Sequence, residues 1–178
     1  REVNYRSAVV GRTFKLGSEA TLTVLHPRQT PLRGTRSDLN SNSVVLRLVH
    51  GKNCFLFTGD AEEPTERDLM NRGIEQCDVL KIAHHGSGHS TSERFLAAVK
   101  PQVAIISAGA NNRYGHPDPE LIGRLQRANV PFHRTDLRGT ISLKSDGKTV
   151  SVTTEKQPTD RPAETAIADA AAAAMDTP

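Results

Sequence analysis

The chain has 178 residues, of which 36% are hydrophobic, so it is long enough to bury one domain core but not two sizeable ones. Its formal net charge is +3, from 23 basic and 20 acidic residues, which permits a polyanionic ligand without requiring one. No apolar run reaches the roughly 18 residues of a membrane helix, so no membrane span is predicted in this sequence. The two cysteines, Cys54 and Cys77, fit buried small side chains better than a disulfide framework, although a bridge between them stays open.

Short apolar or alternating runs predict strands along most of the chain. In chain order these runs are 14–16, 21–25, 43–50, 53–58, 79–83, 103–107, 132–135, 140–144 and 149–153. Helical spacing between capping residues predicts helices from Pro64 or Thr65 to Arg72, from Thr91 or Ser92 to Val99, and from Pro117 to Asn129. Strands that alternate with helices predict a layered α/β protein whose functional loops follow the strands, and the last three strands are expected to close the sheet.

Two segments lack an apolar period. Residues 28–41 are rich in Arg, Pro, Gly, Ser and Asn, which predicts a mobile surface loop. Its arginines Arg28, Arg33 and Arg36 could follow a nucleic-acid backbone or be simply solvated, and no aromatic residue within the loop is available to stack a base. Residues 156–178 are rich in Pro and Ala without an amphipathic face, so a disordered tail is expected there.

Polar side chains that can bind metals follow three of the predicted strands. Asp60 ends the run 53–58, the pair His84 and His85 ends the run 79–83, and His116 lies in the polar loop after the run 103–107. Carboxylate oxygen and imidazole nitrogen are ligands typical of Zn²⁺, Mn²⁺ or Fe. The pattern therefore predicts a metal site at these strand ends, with a helix N-cap as the alternative role of Asp60.

These residues belong to a series of short motifs that resembles the C-terminal half of a metallo-β-lactamase-fold domain, of the ComEC/Rec2 competence-protein type. The resemblance extends from about residue 10 to 153, and its motifs are Asn42-Ser43, Thr58-Gly59-Asp60, His84-His85-Gly86-Ser87 with Ser90-Thr91-Ser92, Tyr114-Gly115-His116-Pro117, and Arg134-Thr135-Asp136 with Gly139. It implies an αββα sandwich of which only the C-terminal half is present. The family's early His-x-His-x-Asp-His run does not occur in this sequence. Residues 1–155 are therefore expected to form the C-terminal part of a domain whose N-terminal half is missing.

The resemblance also implies roles for individual residues. Asp60 corresponds to the carboxylate that bridges two divalent metal ions, Zn or Mn, in the intact protein. Because neighbouring residues of a continuing strand face opposite sides, only one of the two histidines is expected to reach the metals, and we favour His85 over His84. His116 is expected to contact or protonate the scissile group, with a loop histidine that caps the next helix as the alternative. The predicted substrate-binding residues are Ser87, Asn112, Arg113 and Tyr114.

The function implied by the resemblance is metal-dependent hydrolysis of DNA phosphodiesters during DNA uptake. The implied partners are DNA, the missing half of the domain and a membrane channel domain of the same protein. Two alternatives stay open: a hydrolase of the same superfamily that acts on a small ester, lactone or phosphoester, and a non-catalytic binding module that lacks the main metal ligands. This chain by itself is expected to be inactive, and the compartment is left undetermined.

Overall fold

The computed structural model describes residues 7–157, which form a mixed α/β fold. The strands are β1 (Thr13–Leu16), β2 (Ala20–His26), β3 (Val45–His50), β4 (Asn53–Phe57), β5 (Val79–Lys81), β6 (Val103–Ile106), β7 (Phe132–Arg134), β8 (Ile141–Ser145) and β9 (Val150–Thr154). The helices are α1 (Asp38–Ser41), α2 (Glu63–Asn71), α3 (Glu93–Val99), α4 (Pro119–Arg127) and α5 (Thr135–Arg138). The α/β class expected from the sequence is confirmed.

The main sheet has seven strands in sequence order, β1 to β7. The pairs from β1 to β4 are antiparallel, whereas β4, β5, β6 and β7 are parallel to one another. Parallel strands place their carboxyl ends at one edge of the sheet, and the loops that leave those ends are the usual position of a ligand site in open α/β sheets. Asp60, the histidine pair and the loop that contains His116 all follow these parallel strands.

One face of the sheet is covered by helices. The alternate strand residues Leu56, Leu80 and Ile106 are at most 1% exposed, and they pack with Phe95 of α3 and Leu121 of α4 in the larger apolar core. Burial of such side chains contributes about 1.5–3 kcal/mol each. Local caps help to define the helices, because Ser92 accepts a hydrogen bond from Phe95 N and Asp118 accepts one from Glu120 N.

The opposite face of the sheet is covered only in part. The predicted strands 140–144 and 149–153 were expected to close the main sheet, and this was wrong: β8 and β9 form a separate two-stranded sheet. Val150 packs there with Phe55, Val79 and Ile105. A cavity of about 550 Å³ lies between the hairpin, which contributes Leu143, and the main sheet, which contributes the apolar side chains of Leu48 and Phe57.

The segment 28–41 is more ordered than the sequence suggested. It contains the short helix α1, and the side chain of Asn42 accepts from Leu32 N and donates to Leu32 O, both at 2.8 Å. Asp38 accepts a further 2.8 Å hydrogen bond from Thr35 N. Polar side chains rather than apolar packing hold this loop, which is why a hydrophobic pattern could not reveal it. The disordered tail expected over 156–178 lies, apart from its first two residues, outside the described residues.

The two cysteines form a disulfide rather than the separate thiols that the sequence favoured. Cys54 lies in β4 and Cys77 lies just before β5, and their Cα atoms are 4.7 Å apart. The carboxylate of Asp78 accepts a hydrogen bond from Cys54 N at 2.7 Å, so the chain segment before β5 is held beside β4. Both cysteines are buried, as expected. Among residues 7–157, no helix is long and apolar enough to cross a membrane.

Candidate metal and substrate site

Three loops meet at the carboxyl ends of β4, β5 and β6. Thr58 donates its hydroxyl hydrogen to Lys81 O at 2.6 Å, which ties the ends of β4 and β5 together. His84 N donates to Gly59 O at 3.0 Å, so the turn after β5 rests on the turn after β4. Asp60 N in turn donates to Ser43 Oγ at 3.1 Å. These bonds place Asp60 and the histidine pair in one small region.

His85 faces Asp60. Its Nε2 lies 3.9 Å from Asp60 Oδ1, and its Nδ1 lies 2.8 Å from the carbonyl oxygen of Ser107, at the end of β6. Because a carbonyl only accepts hydrogen bonds, Nδ1 carries a proton, and in the neutral ring Nε2 has a lone pair on the side of Asp60. A backbone carbonyl that orients the second ring nitrogen is a common feature of metal-binding histidines. The side chains of His85 and Asp60 are 59% and 44% exposed, so both can reach a ligand.

His84 faces a different part of the protein. β5 ends at Lys81, and His84 and His85 have positive φ angles of 48° and 56°, so the expected strand does not continue through them. The turn directs His84 towards Glu62, whose Oε1 lies 3.7 Å from His84 Nδ1. Left-handed backbone at non-glycine residues is costly and is concentrated at functional sites. The two adjacent histidines thus have separate surroundings.

Gly86 lets the histidine turn approach the next loop. A Cβ atom at Gly86, whose φ is +87°, would lie 2.6 Å from the Cβ of Pro117. Instead, Asp118 N donates to Gly86 O at 2.8 Å. This contact brings His116 to His84, with ring centroids 5.8 Å apart in an edge-on arrangement. Burial, and then the charges of His84 and His85, lower the pKa of His116, so its neutral form dominates near neutral pH.

The loop before His116 is organised by Asn112. Its Oδ1 accepts hydrogen bonds from Tyr114 N at 3.2 Å and His116 N at 3.0 Å, and its Nδ2 donates to His116 O at 2.6 Å. Arg113 lies over the ring of Tyr114, 4.9 Å from the centroid, and donates to its hydroxyl group at 2.7 Å. The predicted substrate-binding residues therefore divide into a residue that shapes the loop, Asn112, and an exposed pair.

Ser87 is buried and lines a cavity with His84 and His116. The loop that follows it is held from two helices. Glu66 of α2, which is 1% exposed, accepts hydrogen bonds from Thr91 N and Ser92 N, and Arg124 of α4 donates to Ser90 O and Thr91 O. Burial raises the pKa of Glu66, and these hydrogen bonds and the charge of Arg124 act in the opposite direction.

Two residues at the site were not singled out from the sequence. Glu62 is 2% exposed and accepts a hydrogen bond from Asn40 Nδ2 at 3.2 Å, with Arg36 Nη1 at 3.5 Å. Lys81 is partly buried, and burial lowers its pKa, whereas the charge of Asp60 raises it. A lone lysine in an otherwise apolar strand was a signal for Lys81. Glu62 had no comparable signal, since acidic residues are common near helix starts.

The donor set fits part of a metal site. Asp60 supplies a carboxylate and His85 supplies an oriented imidazole nitrogen, the ligand types that Zn²⁺ and Mn²⁺ bind. Among residues 7–157, no group of three or more His, Cys, Asp or Glu side chains is placed to hold a metal ion. A structural or catalytic metal site usually needs at least three protein ligands. Asp60 and His85 would therefore supply two of the ligands of such a site.

Comparison with known proteins finds three similar proteins, each of them much longer than the matched stretch. It is 43% identical over 106 residues to ComE operon protein 3 of Bacillus subtilis, 42% identical over 109 residues to Recombination protein 2 of Haemophilus influenzae, and 39% identical over 108 residues to Competence protein ComA of Neisseria gonorrhoeae. The matched stretches cover 59%, 61% and 60% of this chain but only 14%, 14% and 16% of those proteins. The chain thus corresponds to a small part of its relatives.

No family model matches the chain. A crystal structure of a Parabacteroides distasonis protein, provisionally described as a metal-dependent hydrolase, aligns with 70% of this chain and 55% of that protein. The TM-score is 0.48 and the sequence identity is 13%.

Proposed function

We propose that this chain is the C-terminal part of a metallo-β-lactamase-like domain that hydrolyses DNA phosphodiesters during DNA uptake. Asp60 and His85 are its contribution to a site for two divalent ions, Zn or Mn, and His116 contacts the scissile phosphate. The observation that carries the proposal is the arrangement of His85, with Nδ1 hydrogen-bonded to Ser107 O and Nε2 directed towards Asp60. Such an imidazole is held in the tautomer and orientation that a metal ligand needs.

Divalent ions at this site would stabilise the charge of the phosphoryl transition state and lower the pKa of a water molecule. The protein's own residues then orient the substrate. His116 is neutral near neutral pH, and an anionic phosphate beside it would raise its pKa again by stabilising the imidazolium form. Lys81, close to Asp60 and partly buried, offers a further positive charge near the developing negative charge.

The open apolar face of the sheet supports the proposal that half of the domain is missing from this chain. The cavity of about 550 Å³ is lined by Leu16, Leu48 and Phe57, and Leu16 and Phe57 are 48% and 40% exposed. A soluble domain rarely leaves such a contiguous apolar surface uncovered. We propose that the missing N-terminal half of the domain, which would carry the remaining metal ligands, packs against this face.

The names of the similar proteins support the DNA-related part of the proposal. One of them is named as a competence protein, one as a protein of the ComE operon and one as a recombination protein. We propose that this protein also acts in DNA uptake, that DNA is its substrate, and that a membrane channel domain of the same protein is its partner. The coding sequence upstream of Arg1 tests this directly, because it should encode a His-x-His-x-Asp-His run and apolar spans.

The catalytic part is tested in the full-length protein with Asp60→Ala and His85→Ala. We expect each change to lower the amount of bound Zn or Mn and to reduce hydrolysis of DNA at least about 100-fold. Loss of a residue that hydrogen-bonds to a metal ligand costs about 10- to 100-fold, and loss of the ligand itself should cost more. Metal content is measured by mass spectrometry and hydrolysis on labelled DNA. Glu63→Ala, at an exposed position three residues from Asp60, is the matched control and should change neither.

Other outcomes distinguish the alternatives. If both variants keep full metal content and hydrolysis, the assignment of Asp60 and His85 is wrong. Metal-dependent cleavage of small esters, lactones or phosphoesters without cleavage of DNA would indicate a small-molecule hydrolase. DNA binding without metal and without hydrolysis would indicate a binding module.

A further inference from the structure

Ser43 contacts the turn that carries Asp60. It lies just before β3, in the motif Asn42-Ser43, to which the proposed function gives no role. Its hydroxyl oxygen accepts a hydrogen bond from Asp60 N at 3.1 Å. A Cβ atom added at Gly59, whose φ is +53°, would lie only 3.1 Å from the Cβ of Ser43. The turn after β4 therefore rests on Ser43 through a hydrogen bond and through close packing.

The position of Ser43 is itself fixed by its backbone. Ser43 N donates to Asn40 O at 3.0 Å, and Ser43 O lies 3.1 Å from Nδ1 of His26. Because a carbonyl only accepts hydrogen bonds, Nδ1 is the donor in this contact. His26 ends β2 and is 0% exposed, so its ring is enclosed by the protein on all sides. The support for the Asp60 turn thus begins at a buried side chain of the sheet.

The turn after β4 is held from both sides. β4 lies between β3 and β5 in the main sheet. On the side of β5, His84 N donates to Gly59 O at 3.0 Å, and on the side of β3, Asp60 N donates to Ser43 Oγ. Loss of the Ser43 hydroxyl group would remove the polar contact on one side, and the turn could then shift towards β5.

The carboxylate of Asp60 depends on this backbone support. Its side chain is 44% exposed, and its Oδ1 is 3.9 Å from His85 Nε2, too far for a hydrogen bond. Burial and this contact therefore do not fix the carboxylate by themselves. Ligand groups must be held within roughly 0.5 Å of the geometry that their site requires. The backbone at Asp60 must then be placed accurately, and Ser43 is in contact with it.

We propose that Ser43 is a positioning residue for the metal ligand Asp60. Its hydroxyl oxygen, supported by the buried His26, fixes the backbone from which the Asp60 carboxylate extends. This inference rests on the proposed function, because it concerns the metal site assigned there. Ser43 acts through Asp60 and needs no contact with a metal ion or with the substrate.

The experiment measures the dissociation constant of Zn²⁺ from the full-length protein by competition with a chromophoric chelator. Loss of a group that orients a metal ligand typically costs about 10- to 100-fold in affinity, so Ser43→Ala should weaken Zn²⁺ binding at least about 10-fold. Ser43→Thr keeps the hydroxyl acceptor and should stay within about three-fold of wild type. Unchanged affinity in Ser43→Ala would overturn the proposal, as would equal weakening in Ser43→Thr.

Ser145→Ala is the matched control. The hydroxyl oxygen of Ser145 accepts hydrogen bonds from Gly147 N at 3.2 Å and from Asn53 Nδ2 at 2.7 Å. Asn53 begins β4, so this contact lies at the end of the strand opposite to Asp60. Ser145→Ala should lower the free energy of unfolding without changing the affinity for Zn²⁺. Equal weakening of Zn²⁺ binding by Ser43→Ala and Ser145→Ala would indicate a general loss of stability and contradict the positioning role.

A double variant tests whether Ser43 acts through Asp60. In the Asp60→Ala background, the further change Ser43→Ala should not weaken Zn²⁺ binding any more, whereas two independent effects would multiply and refute the proposal. A second readout needs no metal. Hydrogen exchange at the Asp60 amide should be faster in Ser43→Ala and unchanged in Ser145→Ala. An unchanged exchange rate in Ser43→Ala would show that Ser43 does not hold this backbone.

Failure of the proposed function gives a different result. If Asp60→Ala weakens Zn²⁺ binding and Ser43→Ala does not, the metal site stands and the positioning role fails. If Ser43→Ala weakens Zn²⁺ binding through Asp60 but the wild-type protein does not hydrolyse DNA, the positioning role stands and the proposed reaction fails.

Discussion

His84 and His85 illustrate how backbone conformation gives two identical side chains different surroundings. With φ angles of 48° and 56°, they turn the chain immediately after β5 instead of extending it. His85 reaches Asp60, and His84 reaches Glu62 and His116. Left-handed backbone at each residue costs of order 1–3 kcal/mol, which the hydrogen bonds of the turn must offset.

Gly86 provides a residue-scale prediction about the site. Gly86→Ala would place a Cβ atom 2.6 Å from that of Pro117, on backbone with φ +87°. We expect a loss of roughly 2–4 kcal/mol in the free energy of unfolding, from strain and overpacking together. Urea unfolding measures it. Gly73→Ala has a similar φ of +74° with no atom within 4 Å, so it should cost clearly less. Equal losses at both glycines would contradict the proposed close contact.

His26 provides a prediction about pH. It is fully buried, and burial lowers its pKa, although its Nδ1 lies 3.1 Å from Ser43 O. The unfolded chain therefore binds a proton more readily than the folded protein does. The contribution of neutral His26 to the free energy of unfolding should be fully present above about pH 6.5, the pKa of histidine in the unfolded chain. It should be lost as the pH decreases through the lower pKa of the folded protein. Urea unfolding between neutral and mildly acidic pH measures this slope.

His26→Gln should reduce that slope, because glutamine does not titrate. His89→Gln makes the same substitution at an exposed position and is the matched control. An unchanged slope in His26→Gln would show that other groups cause the acid sensitivity.

At the scale of elements, two helices hold the loop that follows the histidine pair. Glu66 in α2 accepts from backbone N–H groups of this loop, and Arg124 in α4 donates to its carbonyl oxygens. Both side chains are more than nine-tenths buried. Removing one of them leaves buried backbone groups without partners, which costs more than the hydrogen bonds contribute.

Arg124→Met should therefore lower the free energy of unfolding by about 1–3 kcal/mol and speed hydrogen exchange at the amides of Thr91 and Ser92. Arg127→Met lies on the same helix and removes only an exposed ion pair with Glu93, both side chains being 62% exposed. We expect this control to change stability by less than about 0.5 kcal/mol. Similar effects of the two changes would contradict the special role of Arg124.

At the scale of the whole molecule, the two faces of the main sheet differ. Helices α2, α3 and α4 supply a core on one face, whereas the hairpin of β8 and β9 covers only part of the other. Leu48 and Phe57 line the uncovered part. An apolar surface of this kind favours association when its partner is absent.

We therefore expect the isolated 178-residue chain to associate, with an apparent mass that rises with concentration in light scattering. Phe57→Glu should reduce association, because a charge placed on the uncovered surface is costly to bury. Leu39→Glu is the control, since Leu39 is 89% exposed but lies outside this cavity. A monodisperse, cooperatively melting monomer of the unmodified chain would contradict the prediction.

The α/β class, most strands of the main sheet and the burial of the cysteines could be predicted from the sequence, because the spacing of apolar residues reports local conformation and burial. It also placed Asp60, the histidine pair and His116 at strand ends. The folded structure was needed to show that Cys54 and Cys77 pair, that β8 and β9 form a separate sheet, and that Glu62 lies 3.7 Å from His84. Only it brought Tyr114 and Asn40 of α1 to the same cavity. These contacts join residues far apart in the chain through turns and polar hydrogen bonds, which a hydrophobic period does not encode.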